Sequence, residues 1–400
     1  MAEQRRDVWI TGIGIVSCLG EGPEAHWHRL NEAKPSADTQ TFAPCVVHPI
    51  VAIDFDKQIP KKGDQRQMEP WQRIGTYAAG LALESAGAKG NAELAGRMDM
   101  IIAAGGGERD VAVDSAVLSG LPKAADRDSF LNERLMSDLR PTLFLAQLSN
   151  LLAGNISIVH GVTGSSRTFM GEESAGVDAV RIALARIQAG QSDITLVGGA
   201  HNGERKDLLM LYESGGYLLK DEFRPVWERA PRGGGFALAS LGAFLVLESR
   251  EHALARGASP VARLSAVLAD SSKRRPGDVT GTLERLWGKL AGANPIDEAH
   301  AAVISGATGA EPATSEERKF LAAHPGLPVR ATGTHIGHGL EPQFSMNIAL
   351  AAVAAKHGKL FAPADGSGVE REMSGSLRQA VVTGVGHWRG EGLALVEAVD

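Results

Sequence analysis

The chain has 400 residues, and its 41 basic against 47 acidic side chains leave a formal charge of −6 at pH 7. With 44% hydrophobic and 22% charged residues it has the composition of a folded chain, which excludes disorder over most of its length, and its mild acidity gives no electrostatic case for nucleic acid as the main partner. Glycine at 48 positions beside only 5% aromatic residues predicts small side chains, tight turns and closely approaching elements.

The opening run MAEQRRDVWITGIGIVS carries basic residues but lacks the long apolar core and small-residue cleavage site of a signal peptide, so residues 8–14 (VWITGIG) read as a first strand. Residues 71–86 (WQRIGTYAAGLALESA) follow helical spacing, whereas 105–140 are less regular, an excursion on the surface or at a subunit contact. Residues 175–189 (AGVDAVRIALARIQA) give another alanine-rich helix pattern, followed by a strand pattern at 194–199 (ITLVGG). A boundary falls at 248–259. Beyond it, 270–278 (DSSKRRPGD) and 307–317 read as loops, and 302–306 (AVISG) and 380–386 (AVVTGVG) as strands. Apolar strands alternating with small-residue helices predict an α/β architecture. The ITLVGG and AVVTGVG runs suggest two similar halves, residues 1–250 with an excursion at about 105–150, and residues 251–400.

Two cysteines, Cys18 and Cys45, are too few for a disulfide framework and point to a reducing compartment. No apolar stretch reaches the roughly 18 residues that span a membrane, so a cytoplasmic chain without integral membrane association is expected. Neither a metal nor a cofactor is expected. The histidines show no ligand spacing with cysteine or carboxylate, and GIGIVSCLG lacks the GxGxxG spacing of a dinucleotide loop.

Several segments, in order, resemble the β-ketoacyl-acyl-carrier-protein synthases of the thiolase-fold superfamily. VWITGIGIVSCLGEGPEAHWHRL is similar to that family's first strand and following helix, and residues 60–87 to its next helix. GNISIVHGVTG resembles the stretch before the nucleophile, AGQSDITLVGGAHN the strand after the nucleophile helix, and RPVWERAPRGGGFALASLGAFLVLESREHALARGA the mid-chain segment. The resemblance covers essentially the whole chain and implies a five-layer αβαβα fold of two similar halves. It also implies a site with a helix-start cysteine, two histidines and a lysine. A thiolate gains from a helix N-terminus, and oriented donors stabilise developing negative charge.

Here that site departs from the pattern. Counting back from GQSD, the nucleophile position falls on Glu173, within MGEESAG. The first histidine position falls on Ala307 and the lysine position on Gly333, while the second histidine is present as His338. Glu172 and Glu173 also read simply as two acids in a first helical turn, each favoured by roughly 0.3–1 kcal/mol. His338 reads equally as a structural hydrogen-bonding group, and His335 lies nearby. The family's glycine-rich C-terminal run is VGHWRGEG, in which His387, Trp388 and Arg389 put bulk and charge where glycines allow a gate to move; a further glycine run reads ASLGA at 239–243.

No condensing activity is expected of such a chain. GEESAGVDA is similar to the GEQAGGLDA of the family's non-catalytic chain-length factors, which implies a partner for a catalytic ketosynthase in a heterodimer, acting with acyl carrier protein in fatty acid or polyketide biosynthesis; a homodimer stays open. The alternatives are a malonyl decarboxylase using Glu173 and a stand-alone module binding acyl chains or carrier protein. Lys61, Lys62, Arg66 and Arg73 lie where the family contacts its acidic carrier, and they read equally as a solvated helix end. Arg274 and Arg275 read as surface.

Overall fold

The computed structural model describes residues 5–139, 143 and 147–399. The first half contributes β1 (Val8–Ser17), β2 (Asp99–Ala103), β3 (Ser166–Phe169), β4 (Ile194–His201) and β5 (Leu241–Ser249). The second contributes β6 (Ala262–Asp270), β7 (Ala301–Ser305), β8 (Val329–Ala331), β9 (Gln379–Val385) and β10 (Glu391–Glu397). In space the first set runs β3-β2-β4-β5-β1 and the second β8-β7-β9-β10-β6, the same permutation. The senses agree as well. In each half the fifth strand is antiparallel to the first and the fourth, and the second strand is parallel to the third and the fourth. A short pairing of Trp9 with Arg263 and Ile10 with Ala262 makes the hydrogen bonding continuous from one half to the other.

The longer helices are α1 (Pro70–Ser85), α2 (Val111–Gly120), α3 (Arg127–Asp138), α4 (Leu151–His160), α5 (Glu173–Gln188), α6 (Lys206–Ser214), α7 (Asp278–Ala293), α8 (Ala313–Ala323) and α9 (Gln343–His357). Helices α5 and α9 share one apolar core with residues from both sets of strands. Helices α1 and α4 cover the far face of the first set, and α7 and α8 the far face of the second. The result is five layers, α-β-α-β-α. Close approach explains much of the glycine: a Cβ at Gly14 would lie 2.0 Å from the Ala78 carbonyl oxygen, so α1 rests directly on β1.

Three expectations are corrected. Residues 307–317 are not all loop, because α8 starts at Ala313. The 60–87 segment is two helices, Lys62–Gln67 and α1. They are separated at Met68 and Glu69, where Glu69 and Gln72 form a reciprocal capping box. Most of the irregular 105–140 segment is helical, in α2 and α3, with Leu118, Leu135 and Met136 exposed. Within the 105–150 excursion, residues 140–142 and 144–146 lie outside the described residues. No helix among the described residues is long and apolar enough to cross a membrane.

Candidate functional site

The chain leaves β3 through Gly171 and turns sharply into α5. Glu172, the residue before the helix, has φ 56° and ψ −136°, a sparsely populated conformation for a side chain with a Cβ. Both of its carboxylate oxygens accept a side-chain hydrogen bond. The Tyr212 hydroxyl donates to Oε1 at 3.0 Å, and the Trp388 indole N–H donates to Oε2.

Glu173 begins α5 and is only 6% exposed. Its Oε1 accepts from His338 Nε2 at 2.8 Å, His387 Nδ1 at 2.9 Å and the His387 backbone N–H at 3.2 Å. His338 is fixed by its own backbone, its N–H donating to the Ala237 carbonyl and its carbonyl accepting from the Ala239 N–H. His387 sits in the connection between β9 and β10, closed by a Gly386 N–H to Gly390 carbonyl bond. Arg274 braces that connection. It donates to the Gly386 and Gly390 carbonyls and pairs with buried Glu391, so the surface reading of Arg274 is corrected. Arg275 is exposed.

Burial opposes ionisation of Glu173, but the hydrogen bonds and charge of His338 and His387 outweigh it and hold the carboxyl well below its ordinary range. Burial alone would lower His387, yet its bond to Glu173 raises it above the usual imidazole value. Tyr217, Tyr212 and Phe236 present their rings to His387 with centroids 4.6, 5.5 and 5.6 Å away, which keeps the ion pair dry. Beyond their place at the start of a helix, Glu172 is hydrogen-bonded through both carboxylate oxygens and Glu173 through Oε1.

The remaining positions are closed rather than vacant. Ala307 is buried beside Gly333, where a Cβ would meet the Ala307 carbonyl oxygen at 2.9 Å and Val226 Cγ2 at 3.2 Å. No thiolate is available either. The Cys18 thiol, buried against the His335 carbonyl, is pushed up by burial to about 12, and burial also raises Cys45. His335 is buried beside Cys18, and neither of its ring nitrogens has a hydrogen-bond partner. Of the gate residues, only His387 reaches Glu173; Trp388 is half-exposed over Glu172, and the Arg389 guanidinium stacks on its indole at 4.4 Å.

Glu172, Glu173 and His387 each bring one potential ligand atom to within 4.8 Å of the others, a grouping that no sequence spacing shows. Both Glu172 oxygens and His387 Nδ1 already have protein partners. The four cations read as a carrier contact are spread over two helices. Lys61, Lys62 and Arg66 are exposed at the Lys62–Gln67 helix, with Lys62 paired to Asp56 at 2.6 Å, and Arg73 on α1 lies over the Phe55 ring. Sequence reading missed Tyr212, Tyr217, Phe236 and Arg274. Scarcity was the available signal for two of them, since the whole chain has three tyrosines.

This architecture is the fold of the thiolase-like ketosynthases. Residues 5–253 match the family model described as β-ketoacyl synthase, N-terminal domain, and the chain belongs to the β-ketoacyl synthase family. It is 26% identical over 265 residues to the 3-oxoacyl-[acyl-carrier-protein] synthase 2 of Vibrio cholerae, covering 64% of this chain and 60% of that protein. The chain thus spans about three fifths of the length of such synthases. It is also 26% identical over 368 residues to the ketoacyl synthase beta subunit of the tetracenomycin polyketide synthase of Streptomyces glaucescens, covering 87% and 85% of the two chains. Among solved structures, the ishigamide ketosynthase/chain length factor superposes with a TM-score of 0.79 at 20% identity over 99% of this chain and 100% of that one.

Proposed function

We propose that this chain is a non-condensing subunit of a β-ketoacyl synthase, similar to a chain-length factor. In this reading it pairs with a catalytic ketosynthase and meets acyl carrier protein during fatty acid or polyketide biosynthesis in the cytoplasm. The observation that carries it is Glu173. At the nucleophile position stands a carboxylate that cannot undergo thioester exchange, and it holds His338 and His387 on itself. Loss of one acid–base or oxyanion group typically costs about 10²–10⁴ in rate. Loss of the nucleophile together with two other site residues leaves no condensing unit.

Pairing is supported by the end of the first strand set. All of β8 is buried at one end of the sheet, whereas β3, the last strand at the other end among the described residues, exposes Ser166 and Arg167; Met170, which directly follows it, is 63% exposed, and Ile158 on α4 is 72% exposed. An open strand edge flanked by apolar side chains is a template for another chain. His387, Trp388 and Arg389 act in this reading as a closed gate, and Lys61, Lys62, Arg66 and Arg73 as the approach for an acidic carrier.

The test is mass spectrometry of the chain incubated with acyl- and malonyl-loaded carrier protein, beside native mass spectrometry with a catalytic ketosynthase. The expected results are no covalent acyl adduct, no condensation and a one-to-one heterodimer. An acyl adduct, or a stable homodimer with no affinity for any ketosynthase, overturns the reading. Decarboxylation that is lost on Glu173→Ala would establish the malonyl decarboxylase instead.

A further inference from the structure

Three donors converge on one oxygen at the start of α5: His338 Nε2, His387 Nδ1 and the His387 backbone N–H, all on Glu173 Oε1. They are not held there by Glu173 alone. His338 is tied through its backbone to Ala237 and Ala239, and the His387 connection is tied through Gly386 to Gly390 and braced by Arg274. The 16-residue helix α5 adds the positive end of its dipole at the same place. Rings of Tyr212, Tyr217 and Phe236 keep the pocket dry, where each donor is worth more than in water.

We propose that these donors form a carboxylate receptor, that Glu173 occupies it as a tethered ligand, and that the chain lacking this side chain binds a small free carboxylate. The shape of the vacancy follows from covalent structure. Truncating Glu173 to alanine removes a CH₂–COO⁻ fragment, the skeleton of acetate. Acetate therefore refills the space, formate fills only part of it, and butyrate is too long. In the native chain the receptor is self-occupied, so neither imidazole is available to an incoming acyl group. The inference concerns binding by the chain itself, goes beyond the pairing role, and does not depend on any partner.

The experiment is thermal unfolding and calorimetric titration of the full chain and its variants with sodium acetate, against sodium chloride at equal ionic strength. For Glu173→Ala the expected result is a saturable rise in Tm, roughly 1.5–2 °C when acetate is tenfold above its dissociation constant. Formate gives a smaller rise and butyrate none. The native chain and Glu173→Gln, in which the space stays filled, do not respond, nor does the double variant Glu173→Ala/His387→Ala. A Glu173→Ala protein indifferent to acetate, or one that responds equally to chloride, overturns the proposal. Should Glu173→Ala be unfolded in chloride, folding recovered in acetate supports it. Failure to recover in acetate while Glu173→Gln folds overturns it.

Discussion

Glu173 places a negative charge in a dry interior, a position that is costly unless the charge is paired. Its partners set the sign of a pH effect. The Glu173 carboxyl is held below its ordinary value, so its contribution to stability is present above about pH 4.3, the unfolded glutamate value, and is lost as pH falls. His387 is held above its ordinary value, so its contribution is complete below about pH 6.5 and is lost as pH rises through the folded value. The pair therefore stabilises the fold most between those two values. Tm measured across this range for the native chain minus that for Glu173→Gln should give a bell with an alkaline limb starting near pH 6.5; a flat difference would show that the pair carries no net charge interaction. His387→Ala leaves the buried carboxylate short of a partner and should cost about 3–5 kcal/mol in chemical denaturation.

At the level of elements, the sequence marked four strands and two long helices through their apolar spacing: β1, β4, β7 and β9 fall on the expected runs, as do α1 and α5. It could not show what each glycine touches, because that depends on a second element packed against it. Gly14 and Gly96 make the contrast measurable. Gly14→Ala would drive a Cβ into the Ala78 carbonyl at 2.0 Å, forcing α1 off β1, and is expected to cost more than the about 1–3 kcal/mol of ordinary overpacking. Gly96 sits in the exposed helix Ala92–Arg97, where the nearest contact of an added Cβ would be 3.9 Å away, so Gly96→Ala should stabilise by about 0.5–1 kcal/mol. Equal effects from the two would show that α1 is not in fixed contact with the strand. The same limit explains Arg274. DSSKRRPGD reads as a solvated loop on composition alone, and only tertiary structure brings its guanidinium to the Gly386 carbonyl.

Across the whole molecule, the repeat of strand order and sense in the two halves was legible only faintly, as two glycine-ended runs, because buried strands keep a pattern of size and apolarity more than of letters. Glu173 was legible by register from GQSD, while its engagement with His387, 214 residues away, was not. The two ends of the strand array differ in a way that periodicity cannot show. The β8 end is buried, whereas among the described residues no strand pairs beyond β3, which Met170 directly follows; Met170 and Ile158 on α4 are both exposed. If that end is the face that meets a ketosynthase, charges placed on it should separate the pair without unfolding either chain. Substitution of exposed positions outside special features usually changes stability by less than about 0.5 kcal/mol. A double variant, Ile158→Glu with Met170→Glu, is thus expected to keep the native Tm while its heterodimer band in native mass spectrometry falls at least tenfold. An undiminished heterodimer from a normally folded variant would place the pairing face elsewhere on the molecule, with the exposed apolar residues of α2 and α3 as the next surface to charge.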